Sequence, residues 1–330
     1  MTCYFDARWI GEHGIGRFAA ELARRLPVVP LPLAGSPSDP ADPFRLATAL
    51  GGVSRQDCFF SPGYNGPVWS RVPYIVTVHD LNHVDCEGNS SVLKKLYYRF
   101  ILKRVCHRAR AIFTVSEFSK SRIVEWMGVQ EQKVFNVGNG VSEIFSGDVR
   151  PHDPGYAYIF CVSNRRPHKN EEGVVQGFAA AALPATVKLV FTGKPTPAIE
   201  QVCREVGVQD RVVFAGRLTE EQLAEHYRGA LMLLFPSFYE GFGLPIIEAF
   251  ASGTPVITSN VTSMPEIAAD AALLVDPQKP QEIAQAIERL HGDAGLRQTL
   301  VERGYERQKA YTWNAVAQRV EQAMRQVSML

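Results

Sequence analysis

Glu240 and Glu248 stand eight positions apart and frame a glycine-rich stretch, Gly241-Phe242-Gly243-Leu244, followed by Pro245. The residues before them, ALMLLF at 230–235, form an apolar run that reads as a buried parallel strand. Pro245 is read as the first position of a helix, where a missing N–H costs nothing. A strand, a glycine loop and a helix start together make an anion site, because free N–H groups and the positive end of the helix dipole converge there. A carboxylate would repel a phosphate seated on that helix end, so neither glutamate is expected to face the phosphate. Both can accept hydrogen bonds from sugar hydroxyls. A ligand that is anionic in the middle and hydroxyl-rich on either side is a nucleotide-sugar, with one glutamate for the ribose and one for the sugar. The competing reading is an ordinary helix start with acids nearby; it suits one glutamate better than the whole loop with both.

The stretch resembles the E-x7-E signature of retaining glycosyltransferases of the GT-B fold, sequence family 4, and the likeness runs from Ile15 to about Tyr311. The resemblance implies that Glu240 contacts the donor sugar and Glu248 the ribose, while the backbone of Gly241, Phe242, Gly243 and Leu244 meets the sugar and diphosphate. It also implies an α/β architecture of two Rossmann-like domains facing across a cleft, with a C-terminal helix crossing back. Transfer with retention of anomeric configuration is implied too, by a same-face displacement in which the leaving phosphate helps deprotonate the acceptor. No D-x-D occurs, so the usual acidic ligands for a metal on the sugar-nucleotide are missing. Metal-independent activity without a cofactor is the expectation, the leaving charge being met by helix dipole, backbone N–H and cations.

Those cations are sought in SNRRPHKN, residues 163–170, at the end of the next apolar run upstream. Lys169 keeps its family position. Many relatives have an arginine where this chain has Asn164, so the second cation falls to Arg165 or Arg166; Arg165 is the first choice and Arg166 reads as a surface cation. A lysine and an arginine on one loop suit a diphosphate. In VFAGRL, residues 213–218, the family's backbone groups at Gly216, Arg217 and Leu218 hold the base, while Phe214 reads as core.

Four motifs of the first half carry a bland and a functional reading side by side. HGIGRFA, residues 13–19, contains G-x-G-x-x-A, the dinucleotide fingerprint. That reading also needs an acid at the end of the second strand, and PVVPLPLAG ends without one; the nearest, Asp39, lies in a proline-rich loop. The family alternative is a GIGR loop close to the donor phosphates and the acceptor, with Gly16 allowing close backbone approach and Arg17 either a phosphate ligand or a solvated residue. IVTVHDL, residues 75–81, ends a strand on His79 and Asp80, and the family has a histidine here near the donor sugar; Asp80 either orients it or holds the loop. Ser116 is either a helix N-cap or a serine facing the cleft. Asn139-Gly140 reads as a turn.

A chain of 330 residues with 46% hydrophobic and 21% charged residues suits two soluble globular domains. Residues 1–150 carry 18 Lys and Arg against 14 Asp and Glu, and residues 151–330 carry 17 against 20; the excess is too small to argue for nucleic acid. Six scattered cysteines form no C-x-x-C pair and read as small core residues rather than metal ligands. No signal peptide or membrane span is read, which makes the cytoplasm the default. Residues 92–110 carry seven Lys and Arg and no acid, interleaved with Tyr97, Tyr98, Phe100 and Ile101. This is either a packed surface helix or a basic face for an anionic membrane, at the inner side of the plasma membrane. The implied partners are a nucleotide-sugar donor, GDP-mannose being the first choice with UDP- or dTDP-sugars as alternatives, and a glycan or lipid-linked saccharide acceptor in surface polysaccharide assembly. An epimerase of the same shape and a non-catalytic sugar-nucleotide-binding module are the other classes.

Short strands alternate with helices on both sides of GDVRPHDPG at 147–155, the expected linker. The division is therefore an acceptor-side domain at 1–148, a donor-binding domain at 155–312, and a last helix at 313–330 packing back on the first domain. Within the first domain, helices are expected over 91–106 and 117–127, and the run from Gly35 to Pro43 is expected as loop.

Overall fold

A computed structural model describes residues 1–86 and 92–329. They form two compact units: Met1–Gly140 with the stretch from Thr312 onward, and Val141–Tyr311. Each unit is built on a six-stranded parallel sheet, which bears out the α/β fold class.

In the first unit the order along the chain is β1 (Cys3–Phe5), α1 (Gly14–Arg25), β2 (Val28–Pro30), α2 (Asp42–Leu50), β3 (Cys58–Ser61), β4 (Tyr74–Thr77) and α3 (Asn82–Asp85). Then come α4 (Val92–Leu96), a π-helical turn over Tyr97–Leu102, α5 (Lys103–Arg108), β5 (Ala111–Thr114), α6 (Glu117–Met127) and β6 (Val134–Asn136). The sheet order is β2-β1-β3-β4-β5-β6. The central strands β3, β4 and β5 are buried along their whole length, as parallel strands covered on both faces must be. In α1 the apolar residues recur with helical period, so Phe18, Ala19 and Leu22 are fully buried on one face. Truncating Phe18 to Ala there costs about 3–5 kcal/mol by the usual core-cavity scale.

The second unit runs β7 (Tyr158–Cys161), α7 (Glu171–Ala180), β8 (Lys188–Phe191), α8 (Pro197–Glu205), β9 (Val212–Phe214), α9 (Glu220–Gly229), β10 (Met232–Phe235), α10 (Leu244–Ala251), β11 (Val256–Ser259), α11 (Met264–Ala268), β12 (Ala272–Val275), α12 (Pro280–Gly292) and α13 (Ala294–Gln308). Its sheet order is β12-β11-β10-β7-β8-β9. The last helix, α14 (Trp313–Gln326), belongs to the first unit, where Trp313, Val316, Val320 and Met324 are buried in the same cluster as Phe18 and Leu22.

The units change at Gly140/Val141 and Tyr311/Thr312, so the proline-rich stretch 147–155 lies inside the second unit rather than between two. The reason is local: the His152 N–H donates to the Glu225 carbonyl at 2.9 Å, and the His152 ring stacks on His226 at 4.0 Å. Three further differences from the sequence reading stand out. Helix α2 takes in Asp42 and Pro43, the end of the run expected as loop, together with residues 44–50, for which the sequence reading assigns no element. Strand β6 is a three-residue strand too short to show a period. The helix expected over 91–106 is interrupted by the π-helical turn, in which the Lys103 N–H reaches back five residues to the Tyr98 carbonyl; Ser91 lies outside the described residues.

Candidate functional site

In a doubly wound sheet the strand order reverses at one point, and the loops leaving the two strands there diverge to open a crevice at the carboxyl edge. In the second unit that point lies between β7 and β10, neighbours in the sheet although β8 and β9 separate them along the chain. The loop after β7 is SNRRPHKN and the loop after β10 is PSFYEGFG. Topology thus brings together the two segments singled out in the sequence.

Their meeting is braced by Asn170, which adopts φ +53° and caps α7 by accepting from the Gly173 N–H at 3.2 Å. Its side-chain amide donates to the carbonyls of Pro236 at 3.0 Å and Pro277 at 2.7 Å. The Phe238 N–H adds a bond to the His168 carbonyl at 2.7 Å. Across this brace Lys169 Nζ donates to Glu240 Oε1 at 2.6 Å, each side chain being 13% exposed. The same ammonium lies 4.8 Å from the Phe235 ring centroid, a cation–π contact.

The Glu240 backbone is fixed by residues that the sequence reading missed. Its N–H donates to Thr262 Oγ1 at 3.3 Å, and the Ser263 hydroxyl lies 2.9 Å from the Glu240 carbonyl and 3.0 Å from that of Phe242. Gly243 takes φ +98°, a left-handed geometry that only glycine holds without strain, and a β-carbon there would also press Ile246 Cδ1 at 3.1 Å. Helix α10 opens at Leu244 with no side-chain cap on its first turn, where the Ile246 N–H turns back to the Gly243 carbonyl at 3.0 Å. Pro245 is at its second position, not its first; the missing N–H is an unsatisfied one in either case. The side chain of Phe242 is buried edge-on against Tyr311 at 5.5 Å, so this residue offers its backbone. Glu248 is 4% exposed, and the buried Tyr227 hydroxyl donates to its Oε2 at 2.8 Å.

Arg165 is engaged within the unit. Its Nε donates to the Lys194 carbonyl at 2.8 Å, its two terminal nitrogens bond the Thr192 carbonyl and Glu171 Oε1, and the guanidinium lies over the rings of Phe191 and Phe214. Each of its three nitrogens thus makes one bond to protein, which clamps the loop that also carries Lys169. Asn164 and Arg166 are exposed. Gly216 takes φ +74° and accepts at its carbonyl from the Gly193 N–H at 2.6 Å; Arg217 is exposed and Leu218 half-buried.

In the first unit the order reverses between β1 and β3. After β1 the chain enters α1 through His13, whose Nδ1 accepts from the Gly16 N–H at 2.9 Å. A β-carbon on Gly16 would lie 2.4 Å from the Gly11 carbonyl oxygen, so the close approach is to the chain's own backbone. Arg17 is half-buried in the first turn. His79, after β4, is buried; its Nε2 donates to the Pro62 carbonyl at 2.9 Å and its ring meets Phe18 edge-on at 5.0 Å. Burial pushes its pKa down to about 4, with a smaller push from His13, so the imidazole is neutral at pH 7. Asp80 holds the loop, accepting from the Tyr64 hydroxyl at 3.1 Å and the Asn82 N–H at 3.0 Å. Ser116 is fully buried and caps α6 by accepting from the Ser119 N–H at 3.0 Å.

A buried charge network at this edge escaped the sequence reading. Arg8 bridges Asp6 at 2.8 Å and Asp42 at 2.7 Å, both fully buried, and Asn65 links Asp42 to the Trp9 indole N–H. An alternating pattern cannot announce it, because its members come from the loop after β1, the start of α2 and the loop after β3. Among the described residues no group of three or more His, Cys, Asp or Glu could hold a metal ion, and no helix is long and apolar enough to cross a membrane.

Comparison with known proteins decides the family. Residues 11–140 match the glycosyl transferase 4-like domain, and residues 146–307 match glycosyl transferases group 1. The chain belongs to these glycosyl transferases. The O-antigen chain mannosyltransferase B of Escherichia coli is 26% identical over 257 residues, 72% of this chain and 66% of that protein. The O-antigen chain mannosyltransferase RfbU of Salmonella typhimurium is 29% identical over 217 residues, 65% of this chain and 60% of that protein. The chain thus spans about two thirds of these curated relatives or somewhat less. Among solved structures, Anabaena Alr3699/HepE in complex with UDP and glucose aligns with a TM-score of 0.78 over 99% of this chain and all of that one, at 15% identity. The fold shared is GT-B.

Proposed function

We propose that this chain is a retaining, metal-independent hexosyltransferase of surface polysaccharide assembly, moving mannose from GDP-mannose to a glycan or lipid-linked saccharide. The observation that carries the proposal is the convergence of Lys169 and Glu240 on the uncapped start of α10, at the point where the second sheet reverses. An uncapped helix start with a cation beside it suits a diphosphate, and a carboxylate beside that cation suits a sugar hydroxyl. The two mannosyltransferase relatives favour mannose.

In this reading the diphosphate lies on the amides of Gly241 to Leu244 with Lys169 beside it. The bond from the anomeric carbon to the diphosphate breaks, the acceptor oxygen bonds to that carbon on the same face, and the acceptor proton passes to the leaving phosphate. Lys169 and the α10 dipole stabilise the charge that develops on the leaving group. Glu240 orients the sugar and stabilises its developing positive charge, and Glu248 holds the ribose. The Gly216–Leu218 backbone takes the base; on the first unit, His79 is neutral and offers its ring without adding charge. Gly16, Arg17 and Ser116 complete the loop edge of the first unit, and Arg165 keeps the Lys169 loop in place.

A thermal-shift panel of GDP-mannose and UDP-, dTDP- and ADP-sugars tests the donor, since a ligand that binds the native state raises the melting point by mass action. GDP-mannose is expected to give the largest shift, and a flat panel would count against any nucleotide-sugar. Transfer that persists in excess chelator supports the metal-free reading; a strict Mg²⁺ requirement would contradict it.

A further inference from the structure

The first unit contains a cavity of about 670 Å³ that the donor chemistry leaves unused, within the roughly 300–1,000 Å³ of ordinary ligand pockets. Its walls include Trp9, Tyr64, Tyr97, Tyr98 and Ile101, with Lys94 at its edge. One wall is rigid. The Trp9 indole donates to Asn65 Oδ1 at 2.8 Å, and Asn65 is held in turn by the Ser61 hydroxyl at 2.9 Å and by the Arg8–Asp42 pair. The opposite wall is the π-helical turn over Tyr97–Leu102. Such turns concentrate at functional sites.

Two properties select the occupant. The same helical segment also lines the cavity with Leu93, Leu96 and Phe100, which stay 78%, 46% and 61% exposed, and residues 92–110 hold seven cations and no acid. The surroundings therefore suit an anionic group attached to something apolar. A flat bilayer surface can touch these exposed lining residues but cannot fill the cavity; a single chain can. Tyr64 also meets the loop after β4, with its hydroxyl 3.1 Å from Asp80 Oδ1 and its ring 5.8 Å from that of His79.

We propose that this cavity binds the apolar chain of a phosphate-linked lipid acceptor, with Lys94 and its neighbouring cations meeting the phosphate. The inference rests on the transferase reading for its role and on the cavity for its chemistry.

Calorimetric titration with hexyl, octyl and decyl phosphate, each below its micelle concentration, tests it on the full chain. The Kd is expected to tighten by up to about fourfold per methylene buried. Inorganic phosphate, the head alone, should bind at least 10-fold more weakly than decyl phosphate. Ile101→Gln, inside the cavity, should weaken decyl phosphate by more than 10-fold, and Leu96→Asp at the exposed rim does the same should the first variant fold poorly. Both should leave the nucleotide-sugar thermal shift unchanged. Affinity that does not depend on chain length overturns the proposal. So does binding of both folded variants equal to that of the parent, and so does capture only by vesicles of phosphatidylglycerol and phosphatidylcholine, which would mark the helix as a bilayer-facing surface. A flat nucleotide-sugar panel with an intact chain-length series would refute the donor reading and leave the cavity assignment standing.

Discussion

Exchanging the charges of the Lys169–Glu240 pair one at a time should separate binding from turnover. As the pair stands, with Nζ and Oε1 2.6 Å apart and each side chain 13% exposed, it contributes no net charge to the loop. Lys169→Met leaves Glu240 uncompensated beside the diphosphate position and changes the local charge to minus one. Glu240→Gln frees the ammonium and changes it to plus one. At about 4 Å and an effective dielectric near 20, one unit charge acting on another is worth about 4 kcal/mol. Partial solvent access reduces that, so a change on the order of 10²-fold in affinity is the working magnitude, at about 1.4 kcal/mol per tenfold. Lys169→Met should therefore weaken GDP by roughly 10²-fold, and the double variant should recover part of that loss. Glu240→Gln should bind GDP as well as the parent or better, while turnover falls by about 10² or more because the developing positive charge on the sugar loses its partner. Calorimetric GDP titration and product formation, measured on the same four proteins, check both parts. If Glu240→Gln weakens GDP as much as Lys169→Met does, or the double variant recovers nothing, the electrostatic reasoning is wrong.

Tyr227→Phe withdraws a buried hydroxyl from Glu248 Oε2; it should cost about 1–3 kcal/mol of stability and weaken the donor several-fold, read by thermal melting and donor titration. Gly16→Ala forces a β-carbon to within 2.4 Å of the Gly11 carbonyl oxygen, so α1 must shift; a loss of about 1–3 kcal/mol is expected, and an unchanged melting point would show that the backbone yields freely. His79 binds fewer protons in the folded state, its pKa being about 4 there against 6.5 for the free group. Stability is therefore complete above pH 6.5 and falls as the pH drops from 6.5 to 4, by about 3 kcal/mol. His226, also pushed down by burial, adds a loss of the same sign. Urea titrations at pH 7 and 4.5 should show His79→Gln with the shallower acid slope.

Much of this site is legible in the chain because its parts are local. The apolar run of β10, the glycines after it and the proline in the first turn of α10 lie within fifteen residues and obey short-range rules. The partnership of Lys169 with Glu240 is another matter: 71 positions separate them, and only the placement of β10 beside β7 brings them together. Arg165 is a similar case. Its charge and loop suggest a phosphate ligand, and nothing in the sequence shows that the carbonyls of Thr192 and Lys194 and the Phe191 and Phe214 rings, on the neighbouring strands β8 and β9 and the loop after β8, also engage it. Asn170, Tyr227, Thr262 and Ser263 were passed over for the same reason, since a polar side chain does not announce which distant backbone it will brace. Helix α2 was masked by the prolines leading into it, and the π-helical turn has no signature in YYRFIL, whose apolar residues suit an ordinary helix equally well.

Hydrogen–deuterium exchange of the backbone amides with and without GDP-mannose tests the seat of the diphosphate most directly. Slowed exchange is expected at Gly241 to Leu244 and over residues 163–170, and it should be lost in Lys169→Met at donor concentrations that saturate the parent. Protection confined to the amides around Gly16, with 241–244 unchanged, would contradict a donor held at the start of α10.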